Sequence, residues 1–370
     1  MRVAVVGAGV FGLSTAIELR RRGHDVTVFE RGPIPNPEAS STDVSKAIRR
    51  TWYGDDDAYV ELVERAAVMW RSWEESFPAP VYHQVGQLLI LEDFEPGSPM
   101  YESHRFLLGR GAAIEIMDAR EATARFPQFV IEDHETCLQD PWAGYLESGR
   151  ALLFMSRMAR ELGVRLVPNA AVTAVEETAD GVRVEATGGR HDSDMAVVAT
   201  GVWMGRLIPA LAAHLRVSHQ QMVFVEVDST ERFAHGVFPM WAFDPDGDGW
   251  YGFPLLREGY LKLAREKIGA EVDPDLDRAG TPAFAGEAVK FLRRRIPEMA
   301  ASRPIGGRSC LYANTPDDHF FIDRAPDSSR VLVAGGGQRP RLQVRRRYRR
   351  DSGRCRRGPR EPPGRTIPDR

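Results

Sequence analysis

Residues 2–12 read RVAVVGAGVFG, a helix-spaced run carries on to Gly23, and DVTVFE follows at 25–30. Residues 2–6 are a short apolar run closed by glycine, which reads as a buried strand. Leu13, Ile17 and Leu19 recur at helical spacing, and Gly23 stops a helix expected over 10–22. Gly7, Gly9 and Gly12 form G-x-G-x-x-G in the turn between strand and helix. The first allows the tight turn, the second lets backbone approach a pyrophosphate, and the third lets helix pack on strand. Helix N–H groups and the positive dipole end then face phosphates. Glu30 closes the second strand, where an acid binds ribose hydroxyls. The stretch therefore reads as a Rossmann-like βαβ unit that binds a dinucleotide. The alternative is a glycine-rich βα turn with no ligand.

The remainder of the chain is ordinary globular sequence. It has 370 residues, 43% hydrophobic and 27% charged, with a net charge of −3. That length is enough for two domains and a large core. The composition excludes collagen-like and disordered chains. No apolar run approaches the ~18–20 residues of a membrane span. The run after Met1-Arg2 has the outline of a signal peptide, but its glycines are better explained by the turn. Cys137, Cys310 and Cys355 are odd in number and far apart, which argues against a disulfide framework and fits a reducing cytoplasm.

Further along, an amphipathic helix is expected at 57–77, with Tyr59, Leu62, Val63, Ala66, Met69, Trp70 and Trp73 on its apolar side. Another is expected at 148–162, followed by strands near 164–167, 171–176, 181–187 and 194–199. Residues 217–228, 236–243, 248–254 and 259–264 read as an antiparallel run, with a turn at 246–249. A helix at 283–295 and a strand at 330–335 complete the body. Antiparallel stretches interrupt α/β stretches, so the domains are discontinuous. The expected division is 1–82, 140–215 and 300–337 for the dinucleotide domain, and 83–139 and 216–299 for a substrate domain. The fold class is a mixed α/β (α+β) architecture, a Rossmann-like domain interleaved with an antiparallel-sheet domain.

Three stretches carry a resemblance to a known family. The strand MAVVATG (195–201) with Trp203 is similar to the second dinucleotide-contacting segment of FAD-dependent amine oxidases. VRLVPNAAVTAV (164–175) resembles the segment whose backbone contacts adenine there. SCLYANTPDDHFFID (309–323), followed by VLVAGG (331–336), resembles the C-x-Y-x-x-T-P-D-x-H-F-x-I-D signature of the monomeric sarcosine oxidase and N-methyltryptophan oxidase family. That family lies within the D-amino-acid oxidase/glycine oxidase superfamily.

The resemblance implies FAD, held through Gly7, Gly9, Gly12, Glu30, Val172, Thr200, Gly201, Trp203, Gly335 and Gly336. It implies that Cys310 is the sulfur bonded to the flavin, although relatives differ in forming this bond. The bland reading of Cys310 is a buried structural thiol. YGFP (251–254) and LKLA (261–264) resemble a segment whose lysine helps reduce O2, which points to Lys262; Ala264 stands where a glycine is usual. KAIRRTWYG (46–54) resembles R-x-I-R-x-x-Y-G. Arg49 aligns there with the arginine that binds the substrate carboxylate, and Lys46 with a flavin-adjacent arginine. Residues 39–43 fit a loop covering the flavin. The implied reaction oxidises a secondary amine or N-substituted amino acid to an imine, with O2 reduced to H2O2, in a cytoplasmic monomer. The rivals are a dehydrogenase of the same fold with another electron acceptor, and an inactive descendant.

The tail bears on the second rival. Residues 338–370 hold 13 Arg, no Lys, 5 Pro and only three acids. Such a segment cannot bury enough surface to order itself. Read at face value it is a nucleic-acid-binding arm. The family, however, continues with a Ser-Gly-His-Gly-Phe-Lys-Phe-Ala-like segment at this point. Codons compatible with QRPRLQVRR (338–346) encode that run when the first base is dropped. The tail therefore reads as out-of-frame translation after Gly337.

Overall fold

The computed structural model describes residues 1–337 except 246, 248, 267 and 268. Readings that concern the tail, and half of the turn at 246–249, lie outside the described residues. Strand Arg2–Val6 pairs in parallel with Asp25–Phe29 on one side and Met195–Val198 on the other. The full order of this six-stranded sheet is Phe320–Arg324, Val331–Gly336, Met195–Val198, Arg2–Val6, Asp25–Phe29, Arg165–Val167. Only Phe320–Arg324 runs antiparallel to its neighbour.

Side-chain alternation explains the burial of both faces. Val3 and Val5 join Leu13, Ile17 and Met155 in the core under helices Val10–Arg21 and Ser148–Glu161. Ala4 and Val6 join Val184, Met204 and Val333 on the opposite side. The helix Asp57–Glu74 starts at Asp56, whose side chain accepts from Tyr59 N–H. Its buried residues are Val60, Ala67, Trp70 and Trp73. Leu62 and Met69, expected inward, are exposed: the two tryptophans fill the contact, and the apolar stripe is wider than the surface that covers it.

The second large sheet has eight strands, in the order Pro304–Asn314, Arg216–Glu226, Tyr260–Arg265, Trp250–Gly252, Met240–Phe243, Gln87–Leu91, Thr136–Asp140, Glu115–Met117. It is antiparallel except where Met240–Phe243 meets Gln87–Leu91. The helix Pro282–Arg295 packs on it through Phe291 and Leu292. Residues 304–314, grouped by the sequence with the dinucleotide domain, pair along Arg216–Glu226 in this sheet. The signature stretch therefore crosses from one sheet to the other within twenty residues. A three-stranded sheet of Lys46–Ile48, Gly144–Leu146 and Tyr82–His83 lies between the two.

The glycine turn is fixed by contact. A Cβ on Gly12 would sit 1.8 Å from the Gly7 carbonyl oxygen, and one on Gly7 would sit 2.5 Å from that of Ala199. Helix and strand approach as closely as they do only because these side chains are absent. Gly12→Ala is expected to destabilise the fold by about 1–3 kcal/mol, the usual range for overpacking. Denaturant unfolding checks this, and an unchanged midpoint contradicts it.

Candidate active site

A cavity of about 770 Å³ lies where the carboxyl ends of four parallel-sheet strands meet the antiparallel sheet. Open α/β sheets place their ligands at such strand ends. Gly7, Gly9, Glu30, Thr200, Gly201, Trp203, Gly335 and Gly336 line it from the parallel sheet and its turns, and Val172 lines it from strand Val172–Glu177, which belongs to a separate three-stranded sheet with Val182–Ala186 and Gly189–Ser193. Lys46, Arg49, Tyr251, Phe253, Lys262 and Tyr312 line it from the other side. Gly12 lies beneath the turn, pressed on Gly7.

The βα end is built for a dinucleotide. Gly9 caps the helix with no side-chain hydrogen bond, and no acid stands in the first turn. Apart from Val10 N–H, which donates to Ser41 Oγ at 3.2 Å, the first-turn donors receive no side-chain cap. Such a terminus suits an anion. Glu30 is 6% exposed. It accepts from Ala8 N–H at 2.8 Å, Asn36 Nδ2 at 2.9 Å and Gly32 N–H at 3.2 Å. A carboxylate has about four lone-pair sites, so roughly one remains for a ribose hydroxyl. The buried hydroxyls of Thr200 and Ser45, both on the cavity wall, have no protein partner. Buried polar atoms in native proteins are generally paired, so these two await a ligand. The residues present therefore fit FAD.

The opposite end gathers cations. Arg49 is buried, with its guanidinium 4.0 Å from the centre of the Trp52 ring, and Tyr53 bonds it. Burial lowers its pKa, against the pull of Tyr53 and Tyr251. No carboxylate pairs with it among the described residues. Lys262 comes from strand Tyr260–Arg265 and is 2% exposed. Its Nζ donates to Asp43 Oδ2 at 2.6 Å and to the Ser45 carbonyl at 2.7 Å. It also stands 5.1 Å from the Phe253 ring centre. Burial lowers the Lys262 pKa, and Asp43 offsets this only in part.

Lys46 Nζ stands 3.1 Å from Asp43 Oδ2 and donates to Cys310 Sγ at 3.3 Å. Burial alone would lower the Lys46 pKa, but Cys310 and Asp43 hold it well above its usual value. Burial would raise the Asp43 pKa, but the two lysines hold it well below the usual carboxylate range. Cys310 is 1% exposed and packs with Met222, Ala264, Tyr251 and Tyr312, one layer behind the cavity wall. Cys137, the other described cysteine, is remote from this cluster; burial pushes its thiol up to about 12.

Of the expected site residues, all but Gly12 and Cys310 line this one cavity, although Arg49 and Lys262 are far apart in sequence. Sequence reading missed the charge role of Asp43. The available signal was that Asp43 is the lone acid in 39–54, three residues before Lys46. It also missed Tyr53, Tyr251 and Tyr312 as walls around Arg49, and Arg31 and Arg206 on the lining. Arg31, Arg206 and Trp203 Nε1 all bond Asp275, which lies between strand Tyr260–Arg265 and helix Pro282–Arg295.

Comparison with known proteins agrees with this geometry. The family model "FAD dependent oxidoreductase" (DAO) matches residues 2–344. The N-methyl-L-tryptophan oxidase of Citrobacter koseri is 26% identical over 339 residues, covering 90% of this chain and 88% of its own. That of Escherichia coli K12 is 27% identical over 343 residues with the same coverage. Among solved structures, NikD, an amino acid oxidase of nikkomycin biosynthesis, superposes with a TM-score of 0.78 at 21% identity, over 90% of this chain and 88% of that one. Glycine oxidase from Geobacillus kaustophilus gives 0.77 at 19% identity, over 92% and 90%. No helix among the described residues is long and apolar enough to cross a membrane.

Glu30→Gln keeps an acceptor for Ala8 N–H but removes the charge. FAD affinity is expected to fall about ten- to a hundredfold, the worth of one hydrogen bond to a charged group. Flavin fluorescence quenching in a Cys310→Ser background, where no sulfur bond can form, measures it. Unchanged affinity would mean that Glu30 only braces the turn.

Proposed function

The chain belongs to the DAO family of FAD-dependent oxidoreductases, and from that premise we propose that it oxidises an N-methyl or other N-substituted amino acid to the imine, with O2 reduced to H2O2. The observation that carries the reading is Arg49: a buried guanidinium on the cavity wall with no carboxylate partner among the described residues. A buried charge left uncompensated is costly, so this one implies a ligand anion. A planar guanidinium binds a carboxylate bidentately. The similar proteins named for N-methyl-L-tryptophan support the same substrate class.

FAD, when bound, supplies the two-electron acceptance that turns an amine into an imine. The protein's part is binding and charge. Arg49, Lys46 and Lys262 place three cations at this end, and the single carboxylate among them, Asp43, is already shared by the two lysines. That field favours a substrate carboxylate and disfavours a substrate ammonium. The amine therefore enters neutral, with its nitrogen lone pair free. Phe253, Tyr251 and Tyr312 wall the cavity there and limit water around the reacting carbon. Lys262 is the cation that stabilises negative charge developing on O2 in this partly dry site. Cys310 is the proposed flavin attachment point; its sulfur lies one layer behind the wall and accepts from Lys46, which lines it. The setting we propose is the cytoplasm, where the buried thiol of Cys137 stays reduced.

Two outcomes test the reading in oxygen-electrode assays with N-methyl amino acids. Arg49→Lys removes bidentate binding, so KM is expected to rise about tenfold or more while kcat changes less, the pattern of lost uniform binding. An equal fall in kcat with KM unchanged contradicts the assignment. The wild-type kcat/KM is expected to rise with pH up to the substrate amine pKa, because only the neutral amine is a donor. A flat profile across that pKa contradicts the neutral-amine account.

A further inference from the structure

The carboxylate between the two lysines enters the reading above only as a charge, and it sits behind the cavity wall that Lys46 and Lys262 form. Its side chain is fully buried. The Asp43 carbonyl accepts from Gly149 N–H at 2.7 Å and Ser148 Oγ at 3.0 Å, both at the start of helix Ser148–Glu161. A Cβ on Gly149 would come within 3.0 Å of that carbonyl oxygen, so the contact is close. Oδ1 accepts from Val44 N–H at 2.8 Å. Oδ2 takes both lysines, and the Cys310 thiol approaches it at 3.8 Å. The backbone is clamped on one side and the carboxylate aimed on the other.

A second observation concerns residue choice. The chain has 45 arginines and only four lysines, at 46, 262, 267 and 290. Two of those four lie on this one carboxylate. Guanidinium stays charged and needs a planar fork, whereas ammonium is a compact charge whose proton the surroundings can control.

We propose that Asp43 is a positioning residue, shared by Lys262 and Lys46, that keeps Lys262 cationic and aimed into the cavity and holds Lys46 against Cys310. The inference rests on the proposed role of Lys262 toward O2, and it deepens that role. The groups facing Asp43 are Lys262 and Tyr260 from one strand, Cys310 and Tyr312 from the signature strand, and Lys46 from its own segment, with Tyr251 acting on Lys46. The helix behind brings only the Ser148 hydroxyl and Gly149 N–H. Asp43 is thus the one carboxylate in the set. Without it, Lys262 is buried beside a second cation, and it sheds its proton as pH rises.

Four lysines make the test direct. Full-length chain labelled with 13C at lysine Cε gives few enough signals to assign by single substitutions, with or without bound FAD. The Lys262 titration midpoint is expected to fall by more than about one pH unit in Asp43→Asn, the scale of a lost opposite charge at contact. Asp43→Glu, which restores the charge, is expected to recover most of that shift. In Lys46→Met the midpoint should instead rise, because the competing cation is gone; this arm decides the matter if Asp43→Asn does not fold. A Lys262 midpoint unmoved in Asp43→Asn, or in Lys46→Met, overturns the proposal. Oxygen consumption by Lys262→Met separates the two claims. If it stays at the wild-type rate, the oxygen role of Lys262 falls, while the midpoint shift still decides the role of Asp43.

Discussion

One buried ion pair joins the two halves of this molecule. Asp43 belongs to the segment that leaves the parallel sheet, and Lys262 to the centre of the antiparallel sheet. Burying both charges costs several kcal/mol of desolvation per ion, which their attraction repays only when geometry is good and the remaining lone pairs are used. Here the geometry is good: a 2.6 Å contact, a second acceptor at Ser45, and a carboxylate braced by Val44 N–H. A pair of apolar residues would fill the same volume with less penalty. The pair is therefore better understood as serving the cavity it borders than as a source of stability.

The cavity has two electrical ends. At the glycine turn, Glu30 is the one acidic residue on the wall among the described residues, and it is tied to the backbone of the turn it supports. At the other end Arg49, Lys46 and Lys262 leave a positive excess after Asp43 is counted. Phosphates suit a helix N-terminus, and a carboxylate suits an unpaired guanidinium. An FAD and an N-substituted amino acid thus share one continuous space, each at the end whose donors match it.

Local features were legible in the sequence, and distant ones much less so. The glycine turn, Glu30 and the flanking strands follow from residues within thirty positions, because turn sterics and strand alternation act locally. Arg49, Lys262 and Cys310 come together only through sheet pairing across more than two hundred residues, so resemblance rather than spacing pointed to them. The strand Pro304–Asn314 was grouped with its neighbours in sequence, yet it pairs with Arg216–Glu226. Its short apolar run does not reveal which sheet it will join. Asp43 read as part of a polar loop, since a lone acid among Ser and Thr has no period to betray it. Its meaning appears only when two lysines from different elements arrive at one oxygen.

The central claim is that this chain holds FAD beside a cationic pocket that accepts a neutral amine bearing a carboxylate. The most direct measurement is the visible spectrum of the purified full-length chain, recorded without oxygen while an N-methyl amino acid is added. The account predicts a yellow protein whose flavin band bleaches on addition and returns when air is admitted. A yellow protein that no N-substituted amino acid bleaches would contradict the substrate assignment. A chain that takes up no flavin would contradict the account as a whole.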